Sequence, residues 1–452
     1  MKNLPDILAK GEPARLIPVV ADTRKEQRAT SALLAVIGSV EEYGRVLLSV
    51  VGTPVGKTSR IRCFTEVEFK SQPKEFRQRP DGLIQVRTGK RIWSAIVEAK
   101  VGNAVLDAQQ IEAYLDIARL AGADAVITIS NQFAARPTHH PVTVSKRKLG
   151  KIGLYHWSWT FLLTQAVIEE GSKGVADPDQ AFILKELIRY LDHDSSGVTG
   201  FDRMPATWKD LCASVQHGTR LTRSAPEVVD AATSWHGLTR FIALKLSVGV
   251  GREVSVYLSR SHAKDADQRL HDDVAALVTG SSLQASFDVP DAADRVHFSA
   301  DLARRTLTAS MTLQAPKDRK LPKALFTWIF RQIEDCPDDS LMIIAKWPGR
   351  SPDTSATLAQ MREDRNVLLS GNAGQMPASF EIRQVSDLGG RFRGAKTFVE
   401  DALRSVTAFY EEVGQHLEAW VPKPPKIKPE SVLDGGAAGQ PTVPGVIGRG
   451  LL

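Results

Sequence analysis

Apolar residues at Ala29, Leu33, Val36, Ile37 and Val40 recur near helical spacing after Asp22 and Thr23, which predicts an amphipathic helix. Residues 45–51 are a strand candidate, and 60–69, alternating and β-branched, predicts another. Segments 83–86 and 93–97 flank Thr88-Gly89, a hairpin pattern. Helical spacing returns over 105–120 and stops at Gly122, a natural C-cap. Residues 125–130 read as a short buried strand and 152–160 as one more. Residues 1–20 read as an arm.

This order predicts an α/β sandwich around a mixed sheet over 21–170. The segment 93–130 is a β-α-β crossover, so its strands should run parallel with a right-handed connection. A helix over 178–191 and a Ser-Ser-Gly turn form a helical linker, 171–200. The texture then changes. Helices near 227–246, 265–278 and 323–335 alternate with strands near 254–259, 284–287, 295–299, 305–313, 341–346 and 379–385. A long amphipathic helix follows over 396–420, its stripe of Phe398, Leu403, Val406, Phe409, Val413 and Leu417 reading as core. This predicts a separate α+β domain over 201–421, without a familiar motif. From 422 to 452, prolines, glycines and small residues predict a disordered tail.

With 452 residues, 42% hydrophobic and 24% charged, the chain has the composition of an ordinary globular protein. Its apolar runs are too short to span a bilayer, and no signal-peptide core precedes the first charges. No membrane partner is expected, and the expected location is the cytoplasm. Cys63, Cys212 and Cys336 lie far apart, which excludes a disulfide scaffold and predicts reduced thiols. The net charge of +6 is concentrated near the N-terminus. Residues 57–100 hold eleven Lys/Arg against five Asp/Glu, and 136–151 hold five basic residues and no acid. That distribution suits a polyanion or a simple solvated surface.

The informative stretch is Arg79-Pro80-Asp81-Gly82, then Glu98-Ala99-Lys100, then Gln110 and Tyr114. If Thr88-Gly89 is a two-residue turn, Asp81 faces Ile96. Residues opposite each other share a face, and side chains alternate along a strand. Asp81, Glu98 and Lys100 then converge on one side of the sheet. Unpaired carboxylates among Ile96, Val97 and Ala99 are costly to bury. A hard divalent cation resolves that conflict by taking one or two carboxylates and keeping several waters. Such a cation activates water and stabilises charge developing on a phosphate. Lys100 would orient or deprotonate the water, or neutralise the phosphorane, with partial burial expected to lower its pKa.

Pro80-Asp81, sixteen intervening residues and Glu98-Ala99-Lys100 resemble the PD-(D/E)xK nuclease superfamily, with its restriction-endonuclease-like fold. Gln110 and Tyr114 resemble the QxxxY signature of its RecB-like branch. The resemblance covers roughly residues 20–160. It implies a magnesium- or manganese-dependent endonuclease acting on DNA. Asp81 and Glu98 would be metal ligands, joined by the Ala99 carbonyl, and Lys100 would serve the water. Gln110 and Tyr114 would contact the nucleic-acid backbone or hold the site together. Glu26 would be an additional acid near the metal, although Thr23-Arg24-Lys25-Glu26 also reads as a capping box. A role in bacterial restriction or anti-phage defence follows by analogy alone. A homodimer, or a partner protein at the C-terminal domain, fits the same analogy. The other readings are RNA as substrate and a non-catalytic nucleic-acid-binding scaffold.

Two further patterns are read as structural. Gly52-Thr53-Pro54-Val55-Gly56-Lys57-Thr58 has three residues between its glycines where a phosphate-binding loop needs four, and a strand follows instead of a helix. His139-His140 reads as a Pro-flanked surface loop. Glu66 and Glu68, on an alternating strand, read as a solvated face, with one of them able to approach the acids. Tyr155, Trp157 and Trp159 read as core.

Overall fold

The computed structural model describes residues 4–56, 58–71, 79–134, 137–369 and 375–422. The first part runs β1 (Leu8–Pro13), α1 (Lys25–Ser39), α2 (Glu41–Ser49), β2 (Arg60–Phe69), β3 (Gly82–Thr88) and β4 (Arg91–Ala99). It continues through α3 (Ala108–Ala121), β5 (Ala125–Ser130), α4 (Lys146–Leu149), β6 (Gly153–Ser158), α5 (Trp159–Ile168) and α6 (Pro178–Leu191). The six strands form one mixed sheet in sequence order. β1 to β4 pair antiparallel, whereas β4, β5 and β6 run parallel as the crossover predicted.

Alternation along the strands sorts the sheet's two faces. Ile84, Ala95, Val97, Ala99, Ile127 and Trp157 pack in one core with Leu33 and Ile37 of α1 and Leu162 of α5. Leu83, Ile96 and Val126 point the other way, onto Ile111, Tyr114, Leu115 and Ala118 of α3. α3 is well delimited: the Asp107 side chain accepts from Gln110 N–H at its start, and Gly122 (φ 73°) closes it in the left-handed conformation.

Several expectations are corrected. Residues 45–51 are not a strand but the end of α2, because Tyr43, Leu47 and Leu48 lie on one helical face and Tyr43 Oη donates to the Leu162 carbonyl. The arm is not free along its length: Leu8–Pro13 adds a strand to the edge at β2. β6 ends at Ser158, whose hydroxyl accepts from Phe161 N–H (3.1 Å) and caps α5. α1 starts at Lys25 with no side-chain cap, so the Thr23–Glu26 capping box does not form. Trp157 and Trp159 are buried as expected. The expected tail lies, from residue 423 onward, outside the described residues.

The second part contributes α7 (Trp208–Gln216), α8 (Pro226–Val250), β7 (Ser255–Val256), α9 (Arg260–Lys264) and α10 (Ala266–Gly280). β8 (Ser282–Asp288), β9 (Val296–Asp301), β10 (Thr306–Gln314), α11 (Pro322–Ile333) and β11 (Met342–Lys346) follow. β12 (Thr354–Thr357), α12 (Leu358–Glu363), β13 (Ser379–Asp387) and α13 (Ala395–Glu412) complete it. Its seven strands form an antiparallel sheet, β12-β11-β13-β10-β9-β8-β7. The expected strand over 254–259 shrinks to two residues. The last helix stops at Glu412, and a 3-10 turn over Gly414–His416 follows. The stripe of the last helix is core, as its spacing predicted. Among the described residues no helix is long and apolar enough to cross a membrane.

Candidate active site

β3 and β4 meet in a hairpin whose turn residues are Gly89 and Lys90, since Thr88 pairs with Arg91 and Gly82 with Val97. The expected turn was one residue earlier, and the pairing is therefore displaced by two. A displacement of two keeps every side chain on its face, because the strand period is two. Continued by one residue, the observed register sets Asp81 across from Glu98. The Asp81 Oδ2 accepts a hydrogen bond from Ala99 N–H at 2.8 Å, which fixes that carboxylate at the end of β4.

Glu98 is 2% exposed. Its Oε1 accepts from Lys100 Nζ at 2.6 Å. Its Oε2 is buried and, among the described residues, makes no hydrogen bond of good geometry. The Lys100 side chain is 17% exposed, and its ammonium also donates to the Ala99 carbonyl (3.2 Å) and Glu26 Oε1 (3.4 Å). Lys100 is held by its own backbone: its N–H donates to Ile129 O (2.7 Å) and its carbonyl accepts from Trp159 Nε1 (2.8 Å). Glu26 thus faces the Lys100 ammonium instead of capping α1.

The electrostatics follow from burial. Desolvation, and then the Glu98 charge, hold the Asp81 carboxyl well above the usual carboxylate range despite the Ala99 N–H. Desolvation also raises Glu98, although Lys100 draws it down. Burial alone would lower the Lys100 ammonium, but Glu98, Asp81 and Glu26 outweigh it and move it up. The expectation of a lowered Lys100 is therefore overturned: the three neighbouring acids favour its charged form.

Gln110 Nε2 donates to the Tyr114 hydroxyl (3.0 Å), which donates to the Arg79 carbonyl (3.4 Å). Burial and the neighbouring Glu98 push the Tyr114 phenol up. These two residues tie α3 to the segment ahead of Asp81. Glu68 pairs with Lys10 (3.1 Å) and with Arg79, at the strand edge. Glu66 adopts a left-handed backbone (φ 52°), its N–H donates to Asp81 O (3.2 Å), and its carboxylate accepts from Gln27 (2.5 Å). Gln27 and the Trp159 indole carried no sequence signal as site residues.

One further strip was missed. Glu98, Thr128 and His156 stand side by side across β4, β5 and β6. The Thr128 hydroxyl meets both His156 Nδ1 (2.9 Å) and His140 Nε2 (2.8 Å). His139-His140 is therefore not a surface loop: His139 is buried, and His140 turns inward onto the sheet. Burial lowers His140 to about 4 and His156 to about 3, so both are neutral at physiological pH.

The donor set suits a hard divalent cation in chemistry. Asp81 and Glu98 are desolvated carboxylates, the Lys100 ammonium lies between Glu98 and Glu26, and among the described residues a buried Glu98 oxygen makes no hydrogen bond. Among the described residues no group of three or more His, Cys, Asp and Glu side chains is arranged to hold a metal ion. The chain would thus supply two carboxylates, with the remaining positions left to water and substrate, as magnesium favours. The chain matches no protein-family model, no curated protein and no solved structure.

Proposed function

We propose that the chain is a metal-dependent phosphodiesterase, an endonuclease acting on DNA, with a restriction-endonuclease-like first sheet. The observation that carries this reading is the meeting of Asp81, Glu98 and Lys100 at the end of β4, with Glu98 buried and half unpartnered. Asp81 and Glu98 would hold magnesium or manganese. When bound, the cation supplies Lewis acidity and lowers the pKa of an attacking water. The chain's own residues do the rest. Lys100, held charged by its acids, offers a point charge to the phosphate oxygens. Its hold on Glu98 aims that carboxylate. Gln110 and Tyr114 fix the approach of Asp81 through Arg79, so both acids are oriented before substrate arrives. The basic residues of the first part supply sequence-independent attraction to a polyanion.

Supercoiled plasmid with magnesium or manganese tests this. The wild-type chain is expected to nick it, and Asp81→Ala and Lys100→Ala are each expected to lose roughly 10²-fold or more in rate. Circular dichroism of each variant checks that it is folded. No nicking by the wild type with either cation, or equal nicking by the folded variants, overturns the reading. A parallel RNA digest that outpaces the plasmid moves the substrate to RNA.

A further inference from the structure

The second sheet has a feature that its packing does not use. Along β10, Leu307, Ala309, Met311 and Leu313 enter the core, while Thr306, Thr308, Ser310 and Thr312 face the opposite way. The pairing extends this polar face into rows: Gln284, Ser299 and Thr308 align across β8, β9 and β10, as do Ser286, His297 and Ser310. These side chains floor a cleft of about 770 Å3, a volume within the range of small-molecule sites. The floor is half-buried, yet among the described residues the hydroxyls of Ser299, Thr306, Thr308 and Ser310 have no hydrogen-bond partner. Ser310 is only 7% exposed. Short hydroxyl side chains that line a cleft and are not satisfied by protein can donate to and accept from a ligand.

Arg269, on the first turns of α10, forms part of the wall. It is 5% exposed. Among the described residues its one ionic partner is Asp273, 3.6 Å from Nε. That carboxylate already accepts from His236 Nε2 at 2.6 Å. Among the described residues the terminal amino groups of Arg269 have no hydrogen-bond acceptor, and burial lowers its pKa. A desolvated guanidinium with its fork unfilled is costly to the protein alone and matches two oxygens of an anion. At the rim, Tyr257 is 42% exposed, and the Arg295 guanidinium lies 3.7 Å from its ring centroid.

We infer that this cleft binds a phosphorylated sugar, with the phosphate on Arg269 and the sugar hydroxyls on the Ser299, Thr308 and Ser310 floor. The fork selects the anion, the hydroxyl rows match a polyol, and Tyr257 offers a ring for a base to stack on. This site is independent of the acids at β4.

Isothermal titration of the full chain without divalent cation tests it, using ribose 5-phosphate, adenosine 5′-monophosphate, adenosine, glucuronate and inorganic phosphate. The two phosphate esters are expected to bind, and adenosine to bind at least tenfold more weakly than its monophosphate. Arg269→Gln is expected to weaken the esters at least tenfold. Tighter binding of the nucleotide than of ribose 5-phosphate adds the Tyr257 ring to the site, and equal binding confines recognition to the sugar phosphate. No ester binding by the wild type overturns the inference, as does glucuronate or inorganic phosphate binding as tightly as the esters. Unaltered ester binding in Arg269→Gln overturns it too. If Arg269→Gln shows no cooperative melt, Thr308→Val and Ser310→Ala decide: a several-fold loss supports the site, and unchanged affinity overturns it.

Discussion

Asp81 and Glu98 are both desolvated where they meet at the end of β4, and this has a measurable cost. Both carboxyls hold their protons to higher pH than free acids do. In the unfolded chain they ionise at about 4. Between that value and the raised folded values, the unfolded state has lost protons that the folded state keeps, so stability falls as pH rises and stays reduced above. Asp81→Asn removes the charge yet keeps an oxygen for Ala99 N–H. The variant is expected to melt above the wild type at pH 8 without divalent cation, with the difference shrinking toward pH 4. Manganese should raise the wild-type melting temperature at pH 8 and leave Asp81→Asn nearly unmoved. A variant that melts below the wild type at pH 8 contradicts this account of Asp81. The same crowding explains Lys100. Burial alone favours a neutral amine, but with Glu98 at 2.6 Å the ion pair wins.

The position of Asp81 depends on how β3 begins. Gly82 sits where a Cβ would lie 2.5 Å from Leu34 Cδ1 of α1 and 2.8 Å from the Phe64 carbonyl of β2. Gly82→Ala therefore forces β3 away from α1 or α1 away from the sheet, at about 1–3 kcal/mol. The expected result is a lower urea midpoint and a loss of plasmid nicking out of proportion to it, since Asp81 moves with Gly82. Wild-type nicking in a folded Gly82→Ala protein means that the strand start does not set the site. This hairpin also marks how far the sequence could be read. Its faces were legible because period-two alternation survives a displacement of two, whereas the turn itself was misplaced by one residue. The end of α3 and the strand β5 were legible because Gly122 stops the helix and Ala125–Ser130 is a short, mostly apolar run, whereas the helix starts at Ala108 behind the Asp107 cap and not at 105. The end of α2 was not, because a short segment rich in Val and Leu suits a strand or a helix turn equally, and Tyr43 anchoring at α5 decides it. Glu26 was read both as a cap and as a site acid; only its distance from Lys100 separates the two. In β10 the alternation was visible, but nothing in one strand tells that its polar face floors a cleft.

The two sheets are joined by α8. Val228, Ala232, Trp235, Leu238 and Ile242 of that helix belong to the core of the second sheet, whereas Leu244 is fully buried in the core of the first. Arg240 of the same helix is buried with its guanidinium over the Phe161 ring of α5 (5.6 Å). Phe133, in the loop after β5, meets Phe201 and Phe241 edge-on at 6.0 and 5.9 Å. The described residues up to Trp420 fall in one compact unit, and the change of texture near residue 200 marks the passage from the first sheet to the second. A helix shared between two cores cannot leave one without loosening the other. Leu244→Ala is expected to cost about 2–5 kcal/mol. The destabilisation should reach both sheets, although the deleted atoms lie in the first core. Hydrogen exchange across a urea series checks this, with peptides from β4 and β10 expected to lose protection at the same denaturant concentration in the wild type and at a common lower one in the variant. Protection of β10 that outlasts β4, with its midpoint untouched by Leu244→Ala, would mean that α8 bridges the sheets without coupling them. Occupancy of the Arg269 cleft would then have no route through this helix to the acids at β4.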